Sequence, residues 1–455
     1  MLTVRAMMGK VTRFWGQESA MRRRLINTGH LITGNAVNSV IGLIAFVVTA
    51  RALGPADYGV LALTYSYVRA VQQLVSFQSW QPLIKYGAEL KHKVDHSDLV
   101  SLLKFGLIVD FSAAVLACVT AIAVALVASP LVGISEDALD QVLIYSVALV
   151  FQINGLPTAV IRLAGRFREL AYTNLISNAA RMVLCAIGLA TGAELFYFVL
   201  VWAATQILGA LILLGITVAE LRRQGILVRD VLFASLRGVN SRFKGLWSFT
   251  LGSNAELTIR ASAGEFDVLL VGMLADPTSA GLYHIAKRLG RLVLQLGVQV
   301  QAVLYPDIAR LWAQRAIEAL RRTVFQMEIL LALFGVAAII GTAIVIEPLL
   351  AWTAGPEFAA AAPLAIVQMV GVALGLSGGP LRSALLAMGK QTTLLKYVTL
   401  AAITFQVVAW TTIPFFGAMG ANFAHLAMDA VTFASLTILY RRELATLARV
   451  PVVNS

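Results

Sequence analysis

Apolar runs dominate the chain. Stretches of about 20 residues or more, long enough as helices to cross the roughly 30 Å hydrocarbon core of a bilayer, fall at 28–50, 58–79, 101–128, 140–160, 171–190, 195–218, 243–274, 281–305, 324–346, 362–387, 394–414 and 418–440. They predict twelve membrane-spanning helices and an all-α integral membrane protein. The connections are short, so no extramembrane segment is large enough to hold an active site.

The second half of this pattern repeats the first. Leu53-Gly54-Pro55-Ala56-Asp57-Tyr58-Gly59 returns loosely as Leu274-Ala275-Asp276-Pro277-Thr278-Ser279-Ala280-Gly281. Arg69 and Gln73 follow Gly59 at the same intervals at which Arg291 and Gln295 follow Gly281. Gly34-Asn35-Ala36 corresponds to Ser253-Asn254-Ala255, Gly155-Leu156-Pro157 to Gly378-Gly379-Pro380, and Gly165-Arg166 to Gly389-Lys390. Two six-helix repeats are expected, 28–218 and 243–440, joined by a basic, irregular connection at 219–242 and flanked by cytoplasmic segments 1–27 and 441–455. An even number of spans per repeat makes the two parallel, related by an axis along the membrane normal. Transporters built this way carry substrate at the interface between repeats and rock one against the other.

Composition agrees with this reading. With 59% hydrophobic and 13% charged residues and a mean hydropathy of +0.80, a soluble domain of this length is excluded. The net charge of +12 takes its meaning from where the cations lie. Arg22, Arg23 and Arg24 precede the first span, and every second loop is basic, from Lys85, Lys91 and Lys93 through Arg162, Arg166 and Arg168 to Arg441 and Arg442. The intervening loops hold only Arg51. The positive-inside rule then places both termini in the cytoplasm of a multi-pass inner-membrane protein, and no nucleic-acid partner is expected. Ala50-Arg51-Ala52 has the form of a signal-peptidase site, but the run before it is too long for a cleaved leader and belongs to the repeat. Cys118 and Cys185 sit in apolar runs without a disulfide framework. Zinc-ligand spacing, a phosphate-binding glycine loop and a Ser, His and acid set are all missing, so neither an enzyme nor a resident cofactor is expected.

Eight cations fall within spans: Arg69, Lys104, Arg181, Arg260, Lys287, Arg288, Arg291 and Arg382. A charge at mid-membrane costs about 2.5–3.5 kcal/mol on insertion scales and therefore faces water or a partner. His284, Lys287, Arg288, Arg291, Gln295 and Gln299 follow steps of three and four and form one helix stripe. Arg69, with Tyr65, Gln72 and Gln73, forms its counterpart, so Arg69 and Arg291 are expected to face each other across a cavity and grip phosphate. The competing reading pairs these cations with Asp110, Glu256, Glu265, Asp267, Glu328 or Asp429, and for Arg260 the nearby Glu256 makes that reading the better one. Lys104, Arg181 and Arg382 lie near span ends and are expected to snorkel. Asn35 and Asn254 are candidate substrate contacts, though interhelical hydrogen bonding is the commoner use of a buried asparagine. The breaks at Gly155-Pro157 and Gly379-Pro380 favour bending, while Gly371, Gly375, Gly378 and Gly379 serve close helix packing at least as readily as a hinge.

The run Ala50 to Gly59, and Asp267-Val268-Leu269-Leu270-Val271-Gly272-Met273-Leu274 leading to Gly281-Leu282-Tyr283 and Ala286-Lys287-Arg288-Leu289, resemble polysaccharide flippases of the Wzx type in the multidrug/oligosaccharidyl-lipid/polysaccharide (MOP) exporter superfamily. The resemblance covers nearly the whole chain and specifies the superfamily better than the substrate. It implies a V-shaped pair of six-helix bundles that flips a polyprenyl-diphosphate-linked oligosaccharide through a cationic lumen, beside a polysaccharide polymerase and chain-length regulator, with a proton or sodium gradient as the energy source. The alternative within the fold is a cation-coupled drug or metabolite antiporter, for which Asp110, Glu256 and Asp429 would be the coupling acids. A membrane-embedded glycosyltransferase or polymerase is disfavoured, because the longest outer loop, near 346–363, offers only Glu347 and Glu357.

Overall fold

The computed structural model describes residues 2–75, 77–90, 97–128, 138–252, 254 and 266–448. Side chains are described from residue 37 onward, apart from 89, 167, 171, 296, 298–304, 306, 447 and 448. The expected roles of Asn35, Glu256, Arg260 and Gln299 therefore lie outside the described side chains.

Every regular element among the described residues is helical. α1 (Leu2–Val75) reverses at Gly54, whose φ of 72° and ψ of 173° suit glycine. Pro55 then opens the second arm with its φ already set. Phe46 and Tyr65 meet edge to face at 6.0 Å. A straight helix would hold them roughly 28 Å apart, so arms 2–53 and 55–75 are antiparallel neighbours. α2 (Trp80–Leu90) and α3 (Ser97–Ala128) follow. The predicted fourth span is divided. α4 (Leu139–Val147) passes into a 3-10 turn (Ala148–Phe151), residues 152–154 are irregular, and α5 (Gly155–Leu163) resumes the helix.

α6 (Phe167–Thr191) and α7 (Leu195–Arg223) lead to the basic connection. It contains two short helices, α8 (Val228–Phe233) and α9 (Val239–Arg242), where the sequence predicted an irregular stretch. α10 (246–252) and α11 (Phe266–Leu274) precede α12 (Pro277–Ala313). The Asp276 side chain caps α12 by accepting from the Ser279 backbone N–H at 2.8 Å, with Pro277 in the first turn. α13 (Ile317–Thr353), a 3-10 turn (Pro356–Ala361), α14 (Ala362–Ala387), α15 (Gln391–Phe416) and α16 (Ala418–Ala448) complete the fold.

Only one of the two expected breaks is an unwound segment. At Gly155 the Asp110 carboxylate accepts from the Leu156 N–H at 2.5 Å and from the Ser79 N–H and Oγ, each at 2.9 Å. It thereby satisfies backbone donors that a continuous helix would have bonded itself. Gly378, Gly379 and Pro380 instead lie inside continuous α14 and are buried. A Cβ on Gly378 would meet Leu436 of α16 at 3.4 Å, so this site is used for helix packing.

Among the described residues, nine helical segments are long and apolar enough to cross a membrane. One of them, Val37–Val75, contains both arms around Gly54, and α12, with its three closely spaced cations, is not among the nine. Ile340 and Ile344 on α13, and Leu395, Ile403 and Val407 on α15, are more than half exposed, as a lipid-facing surface requires. Buried side chains form one core around Tyr58, Trp202, Val271, Tyr283 and Phe358, which draws on both ends of the chain sequence. Separate cores form around Leu102 and Val160, and around Leu385 and Leu439. The shared core lies at the Gly54 end of the bundle, where Gly59 meets Gly281. A Cβ on Gly59 would fall 1.9 Å from the Pro277 carbonyl oxygen, and one on Gly281 would fall 2.9 Å from the Gly59 Cα. The two copies of the repeated motif thus pack backbone against backbone.

Candidate functional site

A cavity of about 670 Å³ opens between α1, α5, α6 and α7. Arg69 enters it from the second arm of α1, Arg162 from α5 and Arg181 from α6. The unwound segment after α4 contributes Gln152 and Asn154, whose side chains are joined by a 3.0 Å hydrogen bond. Asn174, Ser177 and Asn178 line the α6 wall, and Thr205 and Gln206 the α7 wall. No carboxylate is among its described lining residues.

The arginines are held in place by their surroundings. The Arg181 Nε donates to Thr205 Oγ1 at 2.9 Å and its guanidinium lies 5.2 Å from the Trp202 ring centroid. Arg162 lies 4.5 Å from the centroid of Trp80. Asn178 donates to Asn38 at 2.7 Å, and Tyr145 donates to Gln206 at 2.6 Å. Such fixed donors present planar guanidinium forks and amides to an anionic, hydroxyl-rich ligand.

The α12 stripe is divided between two neighbourhoods, and none of its described side chains lines this cavity. Tyr283 and Lys287 turn to the fully buried Asp267 of α11. The Tyr283 hydroxyl donates to Oδ2 at 2.8 Å, the Lys287 ammonium pairs with Oδ1, and His425 Nε2 of α16 lies 2.8 Å from Oδ2. His284 and Arg288 turn instead to α1. His284 Nδ1 is 3.0 Å from the Tyr58 hydroxyl, and the Arg288 guanidinium lies 3.9 Å from the Phe46 centroid. Gln295 accepts from Ser39 Oγ at 2.8 Å. Arg291 is part-buried on the same helix, and Gln73 is part-buried four residues beyond Arg69.

Other expected contacts are engaged in holding the fold. Asn254 accepts from the Gln78 N–H at 2.6 Å and donates to the Gln78 and Thr250 carbonyls, tying the break after α1 to the chain that follows α10. The Lys104 ammonium donates to the Ala234 carbonyl at 2.8 Å, so it binds the basic connection that holds α8 and α9. Arg162 and Arg181 are cavity residues that sequence reasoning left aside. The available signal was their alignment with polar residues one or two turns away, Thr158 for Arg162 and Asn174, Ser177 and Asn178 for Arg181.

Comparison with known proteins now decides the family. The family model described as "Polysaccharide biosynthesis protein" matches residues 25–312. The chain belongs to this family. It is similar to the inner membrane protein YghQ of Escherichia coli (strain K12), at 25% identity over 289 residues, covering 62% of this chain and 78% of that protein. Among solved structures it is similar to an inward-facing multidrug resistance MATE family transporter of the MOP superfamily, with a TM-score of 0.68, 13% identity and coverage of 91% and 96% of the two chains. It is also similar to the lipid II flippase MurJ in an inward closed conformation, with a TM-score of 0.69, 12% identity and coverage of 92% and 89%. The fold of this family member is that of the MOP superfamily, and nine of its described helical segments are long and apolar enough to cross a membrane.

Proposed function

We propose that this protein flips a polyprenyl-diphosphate-linked oligosaccharide from the cytoplasmic to the outer leaflet of the inner membrane, in the synthesis of an exopolysaccharide, capsule or O-antigen. The observation that carries the reading is the cavity with three arginines, eight amide or hydroxyl side chains on its α6 and α7 walls and unwound segment, and no carboxylate among its described lining residues. A diphosphate brings the negative charge that guanidinium groups match, and sugars bring the hydroxyls that amides bind. Twelve spans in two parallel six-helix repeats supply alternating access. With the basic loops in the cytoplasm, the Gly54 end is the outer end, closed by the shared core, and the separate cores lie at the inner end. The transport cycle is driven by a proton or sodium gradient, and a polymerase and chain-length regulator act on the delivered product.

A cation-exporting antiporter would need acids in its cavity. Asp110, a candidate acid among the described residues, is occupied in capping the Gly155 break. The test is the leaflet distribution of lipid-linked oligosaccharide in cells lacking the protein. Accumulation on the cytoplasmic leaflet with loss of surface polysaccharide is expected. An unchanged pool with increased sensitivity to cationic drugs would reject the flippase reading.

A further inference from the structure

The second repeat holds a cluster that the cavity does not use. Asp267 is fully buried, and both its oxygens are occupied: Oδ1 by Lys287 and the Val268 N–H, Oδ2 by Tyr283 and His425. Lys287 already neutralises it. One helical turn beyond His425, Asp429 lies part-buried near the middle of α16, roughly 16 Å from Ala418. Residues four apart share a helix face, so the imidazole and the second carboxylate are neighbours. Asp429 rests on Gly371 of α14, where a Cβ would fall 2.8 Å from its Oδ2. The glycine leaves room for the carboxylate but gives it no donor. Among the described residues Asp429 takes part in no hydrogen bond or ion pair, although Asp429 and Arg291 both lie within electrostatic reach of the Tyr283 hydroxyl. α15 presents the Phe405 ring to His425, at 4.7 Å between centroids.

We propose that the His425 and Asp429 pair is the proton-binding site of this transporter, and that α12 links its occupancy to closure of the Gly54 end. This rests on the reading of the chain as an alternating-access transporter and names its coupling ion. A proton taken up by the pair neutralises the otherwise unpaired Asp429 in a setting where an ionised carboxylate is costly. A metal cation is the poorer fit, because both Asp267 oxygens are already engaged and no group of three or more metal-ligating side chains exists among the described residues. Coupling follows from register. Tyr283 and Lys287 anchor α12 to the cluster, while the adjacent His284 and Arg288 anchor the same turns to Tyr58 and Phe46 of the first repeat. A change of charge beside Asp267 therefore acts on the helix that closes the outer end. Proton uptake favours closure, and deprotonation favours opening.

The test needs no substrate. Spin labels are placed at the exposed outer-end positions by Ala56→Cys and Ala275→Cys, in a Cys118→Ala, Cys185→Ala background, in the full chain reconstituted in liposomes. Double electron–electron resonance then reads the distance distribution between pH 5 and pH 8. The ratio of short to long distances should fall as pH rises, by up to about tenfold per pH unit, the limit for one linked proton. Asp429→Asn and His425→Gln should abolish the response, while Asp429→Glu and the surface change Asp57→Asn should keep it. A parent protein that ignores pH, or an Asp429→Asn protein that still responds, overturns the proposal. So does a shift produced by sodium at constant pH. A pH response alongside a normal lipid-linked oligosaccharide pool would retain the proton site and reject the flippase substrate, so the two readings fail separately.

Discussion

Replacing Gly59 with alanine adds one methyl group where the second arm of α1 meets the start of α12 backbone to backbone. The new carbon would lie 1.9 Å from the Pro277 carbonyl oxygen, 2.5 Å from its carbon and 3.2 Å from the Thr278 nitrogen. Non-bonded heavy atoms prefer about 3.5 Å or more, so the backbones must part by roughly 1.5 Å. That displacement stretches the 3.0 Å contact between Tyr58 and His284 beyond hydrogen-bond range. Overpacking of this kind costs about 1–3 kcal/mol, and the lost hydrogen bond adds about 1 kcal/mol. The penalty falls on the closed outer end alone, so a cost of about 2 kcal/mol shifts the balance toward opening by roughly 30-fold. In the cysteine-free background, a Thr278→Cys probe in intact cells should react with an impermeant maleimide correspondingly faster when Gly59 is alanine. Gly341→Ala, where a Cβ meets nothing within 4 Å, should leave the rate unchanged. Unchanged labelling in Gly59→Ala cells with normal protein abundance would refute the claim that this crossing closes the outer end.

Three further outcomes are expected. Arg69→Ala, Arg162→Ala and Arg181→Ala should each weaken substrate binding by roughly 10- to 150-fold, the loss of about 1.5–3 kcal/mol for a charge-assisted contact. The readout is surface polysaccharide normalised to membrane abundance, and wild-type output from the triple variant would sink the cavity as the substrate site. Arg181→Lys should recover only part of the loss, because an ammonium cannot both donate to Thr205 and stack on Trp202 as the guanidinium does. Asp110→Ala should chiefly lower the amount of protein in the membrane, since it strands the Ser79 and Leu156 N–H groups at about 1–3 kcal/mol each. Normal abundance with lost transport in that variant would return Asp110 to the coupling role.

Much of the helical framework could be read from apolar run length, and the reversal at Gly54 and the cap at Asp276 could be read from Gly-Pro and Asp-Pro chemistry. The candidate site was harder to read because periodicity tells which side chains share a face, not which neighbour that face meets. The α12 stripe is continuous in sequence, yet adjacent residues Tyr283 and His284 serve different neighbours, Asp267 of α11 and Tyr58 of α1. Lys287 finds its acid twenty residues away on another helix, a partner that no search along its own stripe would reveal. Arg181 was assigned to a span end from hydropathy, whereas the unwound segment after α4 lets α6 face a polar cavity at that depth. The matching glycine and proline breaks diverged for a similar reason. Asp110 supplies acceptors at one, and at the other α14 stays helical against α16.

The shared core at the Gly54 end has a consequence for how the molecule is joined. Tyr58, Trp202, Tyr283 and Phe358 belong to one packed mass although they come from widely separated parts of the chain. Association between the early and late helices is thus sustained by side-chain packing, while the basic connection through α8 and α9 supplies covalent continuity. Two polypeptides divided within that connection, and made in the same cell, should find each other in the membrane and assemble as one transporter.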